Sequence, residues 1–213
     1  MSKPKNKDGE IRAPIAIIGA GGIGSHFCAL LDWAMDADQL DLERSHITVF
    51  DFDTVDESNL RHQDYFRNVV GFPKAFVMSS RYHFNGRCFK FGDRPSDFND
   101  NNMFIVCADN PGVRMAVHAH CRATGKPFID MRSEGDMYAV MTDACPEATY
   151  LASLGASDAD RKDETGRSCQ RAEDKAVKQV QLGHMAAAVA GMQILLKRFR
   201  KQPAPAQVIA AVA

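Results

Sequence analysis

The chain has 213 residues, 45% hydrophobic and 25% charged, an ordinary globular composition in a length that buries most of its apolar surface, so one folded domain is expected. Its 26 basic and 27 acidic side chains nearly cancel, leaving no long-range field to recruit a nucleic acid. Residues 1–12 are polar and no segment stays apolar for the length of a membrane span, so no signal peptide or membrane association is expected, and a cytoplasmic location is.

Residues 14–18 form a short β-branched run that breaks into Gly19, Gly21, Gly22 and Gly24, after which Phe27, Leu30, Leu31 and Met35 recur at helical spacing. This reads as strand, tight turn, helix. A polar connection over 36–45 leads to a second strand, 47–50, that ends at Asp51. The pattern of 74–82 suits a helix, 87–91 alternates as a strand, and 103–108 is the continuous apolar run of a buried parallel strand. A helix is expected over 110–124, ended by Gly125, and strands over 128–131 and 137–142, joined across 133–136. Residues 143–170 are polar with little periodicity, which predicts a mobile crossover loop. A long helix follows over about 173–201, with Met185, Val189, Met192, Leu195, Leu196 and Phe199 marking one face and Ala186, Ala187, Ala188, Ala190 and Gly191 permitting a close neighbour. Pro203 and Pro205 stop it and leave a tail over 203–213. The alternation predicts a Rossmann-like, doubly wound α/β fold, its sheet mostly parallel with an antiparallel C-terminal extension. The domain spans 1–213, with about 1–12 as a flexible N-terminus.

The Gly19-x-Gly21-x-x-Gly24 turn, between a strand and a helix, lets backbone approach a phosphate and aims free amides and the helix dipole at its charge. Asp51, at the end of the second strand, stands where a carboxylate accepts the ribose hydroxyls. These features fit an NAD-binding domain equally well, and a glycine turn beside a solvated aspartate is the plainer alternative.

The next segment separates the readings. Asp51-Phe-Asp53-Thr-Val-Asp-Glu-Ser-Asn59-Leu-Arg61-His62-Gln63, followed by Gly71-Phe-Pro-Lys74-Ala75, resembles the Asp-x-Asp-x-Val-x-x-Ser-Asn-Leu-x-Arg-Gln and Gly-x-Pro-Lys-Ala signatures of the ubiquitin-activating enzyme family of ThiF, MoeB and HesA. Cys107-Ala-Asp109-Asn110-x-x-x-Arg114 is similar to the family's Thr-Asp-Asn-x-x-x-Arg, and Gly125-Lys-Pro-Phe-Ile-Asp130 to its Gly-Lys-Pro-Leu-Ile-Asp. The resemblance covers about 13–200. It implies an adenylyltransferase that binds ATP through Gly19, Gly21, Gly22, Gly24, Asp51, Asp53, Asn59, Arg61, His62, Gln63, Lys74 and Asn110, with magnesium on Asp109. Lys74 and a neighbouring cation neutralise the triphosphate as pyrophosphate leaves, a clamp that NAD does not need. Asp109, just before Pro111, also stands where a helix N-cap belongs.

The family's arginine falls three residues after Asn59, where this chain has His62, with Arg61 one place earlier; both are candidates for the clamp. Arg12 is the only nearby candidate for an arginine that enters a partner subunit's site, as in MoeB-like members. Cys169 stands where thiazole-pathway members carry a cysteine that accepts the activated carrier, and Arg167, Arg171 and the following helix start favour a thiolate there; an idle exposed cysteine is the alternative. The six cysteines hold no C-x-x-C pair, and Cys145 matches only the edge of the family's zinc region, so no zinc and no disulfide framework are expected. The other cysteines read as buried small apolar residues.

The resemblance thus implies adenylation of the C-terminal carboxylate of a ubiquitin-like or sulfur-carrier protein, followed by a thioester on Cys169 for conjugation or sulfur transfer. A conjugating enzyme is an implied partner of the first route, as in bacterial conjugation systems directed against phages, and a homodimer is the family's habit. A peptide or a tRNA base as acceptor, an inactive carrier-binding scaffold, and an NAD oxidoreductase are the alternatives.

Overall fold

A computed structural model describes residues 14–158 and 182–212. Seven strands form one sheet: β1 (Ile15–Ile18), β2 (Ile47–Phe50), β3 (Asn85–Arg87), β4 (Met103–Val106), β5 (Phe128–Glu134), β6 (Met137–Thr142) and β7 (Gln207–Ala211). Their order is β3-β2-β1-β4-β5-β6-β7. The first five pair in parallel, and β5, β6 and β7 pair antiparallel, as the expected fold class requires.

Every residue of β1 and β4 is buried, because both faces of the sheet are covered, which is why these strands read as unbroken apolar runs. Strand residues divide by parity between two cores. Ile15, Ile17, Met103 and Ile105 pack with Phe27 and Leu31 of α1 (Gly22–Asp36), Met78 of α2 (Lys74–Tyr82) and Ala188 of the long C-terminal helix. Ile18, Phe104 and Val106 pack with Phe91, with Val117 of α4 (Pro111–Thr124) and with Tyr150 of α5 (Glu147–Asp158), beside the short α3 (Pro95–Asn99). The C-terminal helix is α6 (Gly183–Phe199).

The expected strand over 87–91 is displaced to Asn85–Arg87. A Cβ on Gly86 would stand 2.8 Å from the Ala75 carbonyl oxygen, so the strand lies tight against α2, while Phe89 and Phe91, whose alternation suggested a strand, turn into the aromatic group around Phe50. Residues 147–158 are helix rather than loop, because Tyr150 and Leu154, four apart, bury together; α3 also had no strong pattern. The turn between β5 and β6 shrinks to Gly135 and Asp136. The tail supplies β7, pairing residues 207–211 with β6.

The apolar face expected of the last helix holds in its second half, where Met192 and Leu195 are buried and Leu196 and Phe199 pack against the core, but not in its first half, where Met185 and Val189 are exposed and His184, Ala187 and Ala188 are buried. A Cβ on Gly191 would lie 2.1 Å from Met131 Sδ, so the small residues admit this chain's own β5. The expected start of that helix at 173 lies outside the described residues.

Candidate active site

The site gathers at the C-terminal ends of β1, β2 and β4, where the chain leaves for helices on opposite faces of the sheet. Gly19 has φ +91°, and a Cβ there would lie 2.8 Å from Ala108 N. On Gly24 a Cβ would lie 1.9 Å from Gly19 O. These two glycines shape the turn, whereas Gly21 faces open space, with nothing within 4 Å, and leaves room for a ligand over the backbone. The N-terminus of α1 has no side-chain cap and no acid in its first turn, so its amides stay open to an anion.

Asp51 braces this turn. Its Oδ2 accepts the Ala20 amide at 2.6 Å and its Oδ1 the Asp53 amide at 2.8 Å. Burial pushes the carboxyl upward from its ordinary pKa, against those amides and the charge of Lys74. Tyr65 holds the turn from another side, its hydroxyl donating to Ala20 O at 2.7 Å. No spacing marked Tyr65 in the sequence; it lies two places beyond the signature that ends at Gln63.

Backbone bonds join the two sequence signatures. Val55 N donates to Phe72 O, Gly71 N to Val55 O and Lys74 N to Asp53 O, and Thr54 bridges Pro73. Lys74, the first residue of α2, is thereby held with its side chain 8% exposed and Nζ 3.3 Å from Asp53 Oδ2.

Asn59 serves the backbone: its Oδ1 accepts the Asp56 amide while Asp56 accepts from Ser58 N, a capping box for the 3-10 turn Glu57–Arg61. Arg61 is exposed. His62 is half-buried, 3.2 Å from Gln63 Nε2, with its ring 6.2 Å from that of His184; His26 approaches His184 to 5.4 Å. Burial, then the neighbouring His26 and His62, lower the His184 pKa to about 4. Gln63 Oε1 is buried without a partner among the described residues.

Asn110, not Asp109, caps α4, its Oδ1 accepting from Gly112 N at 2.9 Å and Val113 N at 3.2 Å. Asp109 is exposed and lines a cleft of about 220 Å³ together with Ile23, Arg132, Ser133, Tyr138 and Ile209. Behind this cleft the Arg114 and Asp130 motifs meet in a buried ion pair. Arg132 holds the other oxygen of Asp130 at 2.6 and 2.9 Å, and the Tyr150 hydroxyl donates to Asp130 at 2.9 Å. An acid and a base two places apart on one face of an otherwise buried strand are a legible signal for this network.

Cys169, Arg167, Arg171 and Arg12 lie outside the described residues. Cys145 is buried, its Sγ 3.8 Å from Gln207 Oε1, and burial raises its pKa. Cys28, Cys107 and Cys121 are also buried, as expected, whereas Cys88 is exposed. No three His, Cys, Asp or Glu side chains among the described residues are grouped to hold a metal ion. No helix among them is long and apolar enough to cross a membrane.

The family model described as ThiF family matches residues 11–198. An adenylyltransferase and sulfurtransferase UBA4 of Yarrowia lipolytica is 29% identical over 138 residues, covering 58% of this chain and 32% of that protein. Its counterpart in Neosartorya fischeri is 30% identical over 129 residues, covering 59% and 25%. The chain therefore spans about a third or less of the length of these relatives. Among solved structures, E. coli MccB with AMPCPP and MccA superimposes with a TM-score of 0.64 at 17% identity, covering 96% of this chain and 62% of that one. PaaA gives a TM-score of 0.64 at 17% identity, covering 94% and 70%. At that identity the likeness is one of fold.

Proposed function

The chain belongs to the ThiF family, and from that premise we propose that it is an ATP-dependent adenylyltransferase acting on the C-terminal carboxylate of a ubiquitin-like or sulfur-carrier protein. The observation that carries this reading is the backbone join that places Lys74 and Asp51 beside one glycine turn. The ribose sits at Asp51 and the triphosphate over Gly21 and the start of α1. A carboxylate is already ionised at neutral pH, so the attack needs no base. One of its oxygens bonds to the α-phosphorus while the bond to the bridging oxygen breaks, and that electron pair leaves on pyrophosphate. Lys74, exchanging Asp53 for phosphate, and the exposed Arg61 offset the charge that gathers there.

The residues present fit magnesium in a limited way. Asp109 is exposed, lines the cleft and would be the residue that holds the ion. Such an ion would supply charge neutralisation for the phosphates.

Cys169 is the proposed acceptor of the next step: its thiolate attacks the acyl carbon, AMP leaves, and a thioester remains for conjugation or sulfur transfer. A homodimer is the proposed assembly, supported by the exposed apolar Met185 and Val189 on α6 and Met137 and Ile209 on the hairpin side.

Exchange of labelled pyrophosphate into ATP tests the reading. The expected result is exchange that requires an added ubiquitin-like carrier ending in glycine and that is abolished in Asp109→Ala. Absence of nucleotide binding, or exchange indifferent to any carboxylate, overturns it.

A further inference from the structure

We infer that His26, His62 and His184 form one proton-accepting group beside the glycine turn, and that this group takes up a proton from solvent when a triphosphate binds, so that affinity for ATP rises as pH falls. The inference rests on the adenylation reading and adds to it a proton that accompanies the nucleotide.

Three separate elements bring the rings together. His26 is one turn into α1, His184 is the second residue of α6, and His62 follows the 3-10 turn Glu57–Arg61. The ring of His184 lies 5.4 Å from that of His26 and 6.2 Å from that of His62. The Asp64 amide, donating to Ser25 Oγ at 2.9 Å, ties the His62 segment to α1.

The group borders the phosphate turn. A Cβ on Gly22 would lie 3.4 Å from the Cβ and Cγ of His184, so this imidazole packs directly on the first residue of α1. One residue earlier, Gly21 faces open space, where the proposed phosphates sit. The Gly22 backbone lies between such a phosphate and the buried His184, and charges that meet across a buried contact are weakly screened by salt.

By itself the protein disfavours charge here. Burial, then the neighbouring His26 and His62, bring His184 down to a pKa of about 4, and burial lowers that of His26 against the opposing pull of Asp64 and the His62 carbonyl. The described charges around the group already have partners or solvent. Asp64 is held by Arg81 and by the Tyr82 hydroxyl, each at 2.9 Å, and Asp136 accepts the Leu182 amide ahead of α6 at 3.1 Å. Across the turn Lys74 faces Asp53, and Asp51 accepts two amides; Arg61, beside His62, is exposed. A triphosphate over Gly21 adds several negative charges that these pairs do not cancel. Imidazole is the side chain whose protonation such a field shifts toward neutral pH.

Bound phosphate raises the pKa of the group above its value in the free protein, so nucleotide binding and proton uptake strengthen each other. The affinity gained is largest at acid pH and is lost as pH rises through the pKa of the complex. One shared proton limits the effect to about tenfold in affinity per pH unit.

The test is calorimetric titration of the full chain with a magnesium-loaded, non-hydrolysable ATP analogue near pH 6, 7 and 8, in pairs of buffers that differ in ionisation enthalpy, which counts the protons taken up. Wild type is expected to take up roughly half a proton or more near pH 6, and to bind at least about threefold tighter there than near pH 8. His26→Gln and His184→Asn are each expected to take up fewer protons and to flatten the pH dependence, the analogue's own titration being common to all three proteins. His26→Gln removes a half-buried ring and keeps the test open if the buried His184 tolerates no change. A wild-type chain that binds the analogue without proton uptake, or variants whose uptake equals that of wild type, overturns the inference while nucleotide binding stands. Absence of nucleotide binding by the wild-type chain at every pH would instead bring down the adenylation reading, and this inference with it.

Discussion

Lys74 Nζ lies 3.3 Å from Asp53 Oδ2, a buried cation facing a half-exposed carboxylate. The pair is a holding position, because the acid has water as an alternative and a phosphate is the better partner for the amine. Lys74→Ala is expected to lower pyrophosphate exchange by about a hundredfold or more, the scale of a lost charge-stabilising group. Asp53→Asn should leave exchange within a few-fold of wild type. Equal losses in the two variants would assign both residues to structure.

The glycines separate folding from binding. Gly24→Ala places a methyl group 1.9 Å from Gly19 O, so the turn must distort and thermal stability should drop by several degrees. Gly21→Ala meets nothing within 4 Å. It should melt with wild type and bind ATP more weakly, by calorimetry, because the methyl group occupies the space of the phosphates.

Arg61 and His62 should fail differently. Arg61 is exposed beside the site, and His62 packs against His184. Arg61→Ala is expected to reduce exchange by roughly tenfold or more at unchanged stability, and His62→Ala to lower the melting temperature with a smaller effect on exchange. The reverse ranking would give His62 the arginine's place.

Stability should fall on acidification through the histidine group. His184 stays neutral in the fold to a pKa of about 4, against an ordinary 6.5. As pH drops, the unfolded chain takes its proton first, so stability present above pH 6.5 is lost progressively toward pH 4. The lowered pKa of His26 acts in the same direction. Thermal unfolding followed across this range should show a flatter slope in His184→Asn.

Cys169→Ala should still exchange pyrophosphate and should lose the thiol-sensitive carrier adduct on a non-reducing gel. Cys145→Ala should keep the adduct, since Cys145 is buried with a raised pKa. An adduct that follows Cys145 would transfer the nucleophile's role.

Most of this fold is legible in the chain because hydrophobic runs and glycine breaks are local. The strand 47–50, the helix 74–82 and the Asn110 and Gly125 ends of α4 follow from neighbouring residues. Two of the misreadings share one cause. Phe89 and Phe91 alternate because Phe50 and Phe98 attract them, and the buried face of α6 is chosen by Met131 and Gly22, both far away in sequence. In the site, the signatures give residue types without duties. Asn59 and Asn110 spend side-chain oxygens on backbone amides, while Tyr65 and Tyr150 matter through partners that only the fold supplies.

The single acid shared by Arg114, Arg132 and Tyr150 also constrains descent. A lineage that loses Asp130 is left with one buried and one half-buried cation without their acid, and one that loses Arg114 leaves the buried acid to Arg132 and the Tyr150 hydroxyl. None of the three positions drifts freely. Aligned sequences should therefore exchange positions 114, 130 and 132 together, as a set passed on whole, while the neighbouring positions 115, 116 and 119, whose side chains face outward, vary one at a time.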